Sequence, residues 1–300
     1  MFLAIRSSPP RSWDPQMTID HLMTGVVRGV GSSDLAQVQE LLALDPVVNC
    51  FVAARVNIAG TDPWRLGGDL WGYFTDDRLH SLVYVGANLV PIATTSTSRA
   101  AFADRLRPLP RRCSSFVGPA EEVQDLWRLL EPAWGPAREV RTNQPFLTLN
   151  TPPLVAADDR VRLVELSELD LLVPACVDMF TDEVGISPES GGVGGAYRAR
   201  IAEIIQSGHA LARIDNGEVI FKAEIGSATG AACQVQGVWV APAYRGRGLA
   251  APGMAAVVNI AQSAIAPNVS LYVNDFNYSA RKAYTRVGFA QSETFTSVLF

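Results

Sequence analysis

Residues 238–251 read VWVAPAYRGRGLAA, an apolar strand that runs into a glycine turn and then into the start of a helix. Glycines at such a junction, here Gly246 and Gly248, let backbone N–H groups crowd around an anion. The helix that follows directs its free first-turn amides and the positive end of its dipole at the same point. The stretch therefore predicts a pyrophosphate cradle and a cofactor of the nucleotide type.

A dinucleotide site is one interpretation of this cradle, because residues 246–251 satisfy the pattern G-x-G-x-x-A and Asp275 follows downstream. Three features argue against it. In a dinucleotide fold the strand turns directly into the first glycine, whereas here residues 241–245 intervene. The preceding strands have a hairpin pattern, and too few residues follow Asp275 to complete a wound parallel sheet. The phosphate-loop pattern G-x-x-x-x-G-K-[ST] is absent.

Composition narrows the class of protein. The chain has 300 residues, is 48% hydrophobic and 18% charged, and carries a net charge of −5, which indicates a globular protein of one large or two ordinary domains. No apolar run reaches the roughly 18 residues that span a bilayer, and no Lys/Arg run suggests nucleic-acid binding. Residues 1–10 lack the pattern of a signal peptide, so we expect a cytoplasmic protein. The four cysteines, at positions 50, 113, 176 and 233, form no CxxC pair, so we expect buried thiols and no metal site.

Hydrophobic periodicity and turn residues give an element order for the second half of the chain. The dipeptide Asn216-Gly217 is a strong hairpin signal. The patterns predict helices at 163–180, 195–207, 248–265 and 278–287, and strands at 211–215, 219–225, 233–240, 269–273 and 290–299.

The first half repeats this order with little sequence in common, which suggests an internal duplication. It has predicted helices at 35–44, 48–54, 100–107 and 120–130, and predicted strands at 70–75, 79–85, 89–92 and 114–117. Residues 93–98, ATTSTS, stand where the cradle would be, so we expect that this half has lost cofactor binding. A proline-rich stretch at 142–159 predicts the boundary and gives three parts: a loose tail at 1–25, a first domain at 26–145 and a second at 155–300.

Two motifs in the second half resemble those of one enzyme family. Residues 245–250, RGRGLA, resemble the [QR]-x-x-G-x-[GA] acetyl-CoA loop of the GNAT N-acetyltransferases. Residues 274–289, NDFNYSARKAYTRVGF, resemble that family's second motif, N-x-x-A-x-x-x-Y-x-x-x-G-F. The resemblance covers roughly residues 160–300, and the first half looks like an uncharacterised domain that precedes GNAT modules in some bacterial proteins. It implies an α+β fold of two GNAT-like modules, each a mixed, mostly antiparallel sheet flanked by helices.

The resemblance also implies a function, the transfer of an acetyl group from acetyl-CoA to an amine by direct attack in a ternary complex. A bulge at Gly237 would splay two strands, and a backbone N–H in the following segment would polarise the thioester carbonyl. Asn277 is expected to cap the last helix and, with Asn274, to contact the cofactor. The predicted cofactor-binding residues are Val238, Trp239, Val240, Arg245, Gly246, Arg247, Gly248, Leu249, Ala250, Ala251, Asn274 and Asn277.

The same resemblance implies candidate catalytic residues. Tyr284 matches the family's tyrosine and is predicted to be the general acid. The strand before the cradle carries glutamines where many members have a glutamate base, so Glu224 on the neighbouring strand is the nearest candidate base. Glu183, with Asp182, lies where the family places its acceptor loop and is predicted to hold an ammonium group.

The sequence leaves alternatives open for the acyl donor, for the function and for the acceptor. A donor with another acyl group, such as succinyl-CoA, would use the same cradle. A non-catalytic acyl-CoA sensor or scaffold is the alternative of a different class, and the missing strand glutamate favours it. The amine acceptor is not identified by the sequence. We expect a monomer or homodimer with acetyl-CoA and an amine as its partners.

Overall fold

The computed structural model describes residues 25–192 and 194–300; the tail predicted at 1–25 therefore lies, apart from Gly25, outside the described residues. The first half has the following elements: β1 (Val26–Gly29), α1 (Leu35–Leu42), α2 (Cys50–Ala59), α3 (Pro63–Leu66), β2 (Gly68–Thr75), β3 (Arg78–Gly86), β4 (Asn88–Ile92), α4 (Ser96–Leu106), β5 (Ser115–Pro119), α5 (Ala120–Trp134) and β6 (Glu139–Leu149).

The second half has a matching order: β7 (Arg162–Leu163), α6 (Leu169–Val184), α7 (Gly194–Gln206), β8 (Ala210–Asp215), β9 (Glu218–Ala228), β10 (Ala232–Val240), α8 (Ala250–Ala264), β11 (Asn268–Tyr272), α9 (Tyr278–Val287) and β12 (Ala290–Leu299). The helix predicted at 163–180 begins later than expected, because Leu163 pairs with Leu211 of β8. The Asn216-Gly217 hairpin is confirmed, with both residues at positive φ.

The strands of the described residues form one continuous 12-stranded sheet, in the order β1-β2-β3-β4-β5-β12-β6-β11-β10-β9-β8-β7. The last strand of each half lies in the sheet of the other half. Strand β12 pairs with β5 of the first half, and β6 pairs with β11 of the second. The two exchanged strands also pair with each other in the middle of the sheet. The two halves are therefore joined by strand exchange.

This exchange changes how the predicted boundary at 142–159 is understood, because most of β6 lies inside that stretch. Strand β6 was not predicted because it contains Pro145, and proline, which removes a ladder donor, is rare in central strands. Its carbonyl still accepts a hydrogen bond from the Val273 N–H at 3.2 Å. The division into 26–145 and 155–300 stays a prediction, but neither part contains all the strands of its own section of the sheet.

Helices cover both faces of the sheet around the second half. Helices α8 and α9 bury one face, around Met254, Val257 and Val287. Helices α6 and α7 bury the other face, around Leu172 and Ile201. Helix α2 of the first half also reaches the second half, because the Cys50 Sγ lies 3.3 Å from the Ala232 carbonyl oxygen. All four cysteines are buried and free, as predicted.

Candidate active site

Strands β10 and β11 are parallel neighbours that separate partway along their length. Their pairing runs only from Ala232 and Asn268 to Gln234 and Ser270. Beyond this point β10 continues beside β9, and β11 continues beside β6. A wedge-shaped gap opens between β10 and β11, and the backbone groups that face it have no strand partner.

The bulge predicted at Gly237 is confirmed on the β9 side of β10. The register of the two strands shifts between Gln236 and Trp239, and Gly237 has a φ of +59°, in the region that favours glycine. Two residues, Gly237 and Val238, therefore face one residue of β9. The bulge re-aims the backbone at the point where the gap begins.

Amide direction along β10 follows from the ladder. The Ala241 N–H donates to the Ile220 carbonyl of β9 at 3.0 Å. Successive peptide groups of a regular strand point to opposite edges, so beyond the bulge the Trp239 amide also faces β9 and the Val240 amide faces the gap. By the same alternation we expect the Val238 amide, which belongs to the bulge, to face the gap. The side chains of Val238 and Val240 pack toward α8 and α9, whereas Trp239 is buried against α6 and α7. Neither the Trp239 amide nor its indole is therefore directed into the gap.

The cradle lies at the wide end of the gap. Gly246 and Gly248 have φ values of +75° and +77°, and a Cβ added to either would meet no atom within 4 Å. Helix α8 starts at Ala250 without a side chain that caps its N-terminus. Its leading amides are therefore free to bind an anion, and the helix dipole favours one there.

Helix α8 carries two residues with low helix propensity in its first turns, Pro252 and Gly253. Pro252 removes one of the first-turn donors, none of which has an intrahelical partner, so its cost is small. Gly253 is required by packing: a Cβ there would lie 2.8 Å from the Phe221 ring on β9. The glycine lets the start of α8 lie directly on the sheet, which fixes the position of the cradle.

The equivalent place in the first half is closed by its own side chains. Helix α4 has a capping box in which the Thr95 hydroxyl accepts from the Ser98 N–H and Ser98 caps Thr95 in return. The preceding amide, of Thr94, donates to the Glu122 carboxylate at 2.8 Å. The start of α4 is thus capped by its own side chains, whereas that of α8 is not, which supports the prediction that only the second half binds a cofactor.

A cavity of about 640 Å³ occupies the gap and extends over the cradle. Its wall combines β10, the turn before α8, the end of β11 and the inner face of α9. Of the twelve predicted cofactor-binding residues, all but Arg247 line it: Val238, Trp239, Val240, Arg245, Gly246, Gly248, Leu249, Ala250, Ala251, Asn274 and Asn277. The residues present therefore fit an elongated ligand with an anionic end.

The cations around the cradle differ from those expected. Arg245 lines the cavity, but its guanidinium is bonded to the Asp182 carboxylate at 2.9 Å. Arg247 instead lies over the Tyr244 ring, 5.1 Å from its centroid. Lys282 and Arg286 on α9 line the cavity and were missed by the sequence reasoning. Their i, i+4 spacing on the helix after the second motif was the available signal.

Tyr284 lines the cavity from α9 and is 6% exposed. Burial, with a smaller contribution from the charge of Glu183, raises the pKa of Tyr284. Within residues 25–192 and 194–300 its hydroxyl makes no protein hydrogen bond. The phenol thus stays protonated at neutral pH and is not committed to another group.

Glu183 lies on the last turn of α6 rather than in a loop, and it lines the cavity with Asp182. Its backbone carbonyl accepts from Arg141 at 3.3 Å, and the same guanidinium lies 4.0 Å from its carboxylate. Arg141 belongs to β6, the strand exchanged from the first half, and its other partners include Glu139. The first half therefore helps to hold the predicted acceptor side of the site.

Asn274 and Asn277 have separate structural roles. The Asn274 side-chain oxygen accepts from Gln144 on β6 at 2.8 Å, a second contact from the exchanged strand. The Asn277 side chain accepts from the Ala280 N–H at 3.2 Å, which confirms the predicted N-cap of α9. The helix ends at Val287, as predicted, and Gly288 follows it at a φ of +114°. Cofactor contact by either asparagine stays a prediction.

The base predicted at Glu224 is not supported by its position. Glu224 does not line the cavity, and it is buried beneath the bulge. Its Oε1 accepts from the fully buried Lys222 ammonium at 2.8 Å. Sequence spacing placed Glu224 near the site correctly but did not reveal that Lys222, two residues earlier on the same face of β9, engages it.

Within the described part of the chain, no group of three or more His, Cys, Asp or Glu residues is arranged to hold a metal ion. No helix among the described residues is long and apolar enough to span a membrane.

Two protein-family models match parts of the chain, and one of them covers both sequence motifs described above. The model of the Acetyltransferase (GNAT) family matches residues 193–289. This part of the chain is a GNAT domain. A second model, a domain of unknown function (DUF4081), matches residues 68–172, from β2 into the start of α6. A search of curated proteins finds no match.

Solved structures extend the likeness of the GNAT domain to the whole fold. A GNAT-family acetyltransferase from Colwellia psychrerythraea has a TM-score of 0.57 at 13% identity, covering 91% of this chain and 99% of its own. A GCN5-related N-acetyltransferase from Sphaerobacter thermophilus gives 0.59 at 16% identity, with 92% and 96% covered. A tandem GNAT protein from the clavulanic acid biosynthesis pathway gives 0.57 at 12% identity, with 92% and 98% covered. The predicted α+β fold of two GNAT-like modules is confirmed.

Proposed function

We propose that the protein transfers an acetyl group from acetyl-CoA to an amine by direct attack in a ternary complex. The observation that carries the proposal is the gap between β10 and β11, which leads to an uncapped helix N-terminus. An extended, hydrogen-bonding arm with a pyrophosphate at its end is the ligand shape that this arrangement favours. Acetyl-CoA would supply the acetyl group as a reactive thioester.

The residues that line the cavity have separate roles in the proposed reaction. The Gly246–Ala251 backbone binds the pyrophosphate, and the exposed cations Lys282 and Arg286 attract the phosphates. An amide of β10 donates to the carbonyl oxygen as that oxygen gains charge, and Val238 is the nearest to the bulge. Tyr284 Oη gives its proton to the departing sulfur. The carboxylate of Glu183 holds the ammonium form of the acceptor at the other side of the cavity. That ammonium releases one proton to solvent before the neutral amine attacks the thioester carbon. A second N–H proton is lost as the amide forms, and it restores the tyrosine hydroxyl.

The proposal is tested by calorimetric titration with CoA and by a thiol-release assay over a panel of amines. We expect one CoA per chain, because the first half caps the equivalent helix with its own side chains and occupies the preceding amide with Glu122. Thiol release should appear with acetyl-CoA and at least one amine and should require both. Two CoA sites per chain, or no CoA binding, would contradict the proposal.

A non-catalytic acyl-CoA sensor is the second candidate, and the engagement of Glu224 by Lys222 favours it. Glu224 does not line the cavity, and Asp182 and Glu183 are the carboxylates that do among the described residues. The same two experiments separate the candidates. A sensor binds acetyl-CoA with the same stoichiometry and releases no thiol with any amine of the panel, whereas the enzyme turns over with one of them.

A further inference from the structure

Lys222 is one of only two lysines in the sequence and has no exposed surface. It lies on β9 opposite Trp239, directly after the bulge, and Glu224 lies opposite Gln236, directly before it. An ammonium buried in this way is costly unless its protons are bonded to fixed partners. Burial opposes its charge, but the neighbouring Glu224 carboxylate and Cys176 thiol together outweigh burial and raise the pKa of Lys222.

One of those partners belongs to the bulge itself. Lys222 Nζ donates to the Gly237 carbonyl at 2.9 Å as well as to Glu224 Oε1 at 2.8 Å. The register shift at Gly237 interrupts the β9 ladder, and the ammonium supplies the donor that the ladder no longer gives. A Cβ at Gly237 would lie 3.1 Å from Nζ and 3.3 Å from the Glu224 Cδ. The pair therefore fills the space that the absent side chain leaves.

We propose that Lys222, held by Glu224, is a positioning residue that fixes the Gly237 bulge and thereby aims the Val238 amide into the gap. The inference rests on the proposed acetyl transfer, for which that amide is the carbonyl-binding donor. A one-residue bulge changes which edge of the strand the peptide groups next to it face. Without the pair, the Val238 amide turns toward β9 and the gap loses its donor at the reacting carbon.

The test uses two variants that act on the bulge from opposite sides. The double variant Lys222→Met/Glu224→Met replaces the ion pair by apolar side chains of similar length, an exchange that buried pairs often tolerate. The variant Gly237→Ala adds a methyl group at the left-handed residue and crowds Nζ. Ser270→Ala is the matched control, because its buried hydroxyl donates to the Cys233 carbonyl of β10 at 3.2 Å, in the part still paired with β11.

Hydrogen exchange, infrared spectra and the Kd for CoA are measured for each protein. Hydrogen exchange of the ligand-free protein reports the bulge: in both bulge variants we expect exchange of the Trp239 and Ala241 amides, which face β9, to rise about tenfold or more. Infrared spectra of bound acetyl-CoA labelled at the acetyl carbonyl report the donor. We expect the carbonyl band to lie below that of free acetyl-CoA in the native protein and the control, and to return toward the free position in both bulge variants. The Kd for CoA should change less than about threefold, since the cradle is built from other residues.

An unshifted exchange rate, or a carbonyl band in the bulge variants equal to that of the native protein, overturns the inference. So does a loss of CoA binding in a folded bulge variant. If the native protein binds no CoA, the proposed function fails, while the exchange data still decide whether Lys222 fixes the bulge. If the double variant does not fold, Gly237→Ala provides all of these measurements.

Discussion

Replacing Gly248 by glutamate places a carboxylate where the cradle should receive a pyrophosphate. The residue has a φ of +77°, and a Cβ there meets no atom within 4 Å, so the new side chain fits and its backbone cost is limited to about 1–2 kcal/mol. A unit charge about 4 Å from a phosphate charge costs about 1 kcal/mol in water and about 4 kcal/mol near a protein surface. A loss of about 4 kcal/mol weakens binding about 10³-fold, so Gly248→Glu should lose measurable CoA affinity.

Gly208→Glu provides the control for strain and charge. Gly208 has a φ of +69° with the same open surroundings, and it lies beside Ala264 and Ile265 at the far end of α8. That helix has 15 residues. At 1.5 Å per residue it is about 22 Å long, beyond the reach of unscreened charge in physiological salt. Calorimetric titration should give native CoA affinity for Gly208→Glu and none for Gly248→Glu, with similar melting temperatures. Equal affinity in the two variants would refute the cradle assignment.

Three further substitutions test other groups of the site. Tyr284→Phe should lower turnover about 10²-fold with a working acceptor while CoA affinity and melting temperature stay near native, because the hydroxyl has no protein partner in the described residues. Native turnover would exclude Tyr284 as the acid. Glu183→Gln should raise KM for the amine in steady-state assays and leave the Kd for CoA unchanged; identical kinetics would contradict an ammonium site there. Lys222→Met alone should lower the free energy of unfolding by about 3–5 kcal/mol in a denaturant titration, because it leaves the Glu224 charge buried and unpaired. A loss below about 1 kcal/mol would mean that the pair is not a buried ion pair in solution.

Elements with strong local signals were predicted from the sequence. Three such elements are the Asn216-Gly217 hairpin, the cap at Asn277 and the helix end at Gly288. Each depends on residues within a turn of one another, so the local sequence alone identifies it. The cradle belongs to the same class, because its glycines and its helix are adjacent in the chain. The bulge at Gly237 was predicted because a glycine stands where the strand changes character.

What the sequence did not predict depends on contacts between distant residues. Strand β6 was hidden because Pro145 is typical of a loop, and its partners on β11 and β12 lie more than a hundred residues downstream. The environment of Glu224 was missed for a related reason. Spacing placed Lys222 and Glu224 on one face of a strand, but only the fold shows that the carbonyl of Gly237 completes their network.

The strand exchange has a consequence for the order in which the chain is synthesised. A ribosome completes β5 and β6 long before it reaches β12, the strand that lies between them in the finished sheet. Until β12 is made, the nascent first half carries an open edge at β5, and β6 lacks both of its neighbours. Unpaired edges of this kind are the sites where incomplete chains associate with one another. The fold that brings Gln144 to the cavity and Arg141 to Glu183 therefore leaves strand edges of the growing chain unpaired until its second half has emerged.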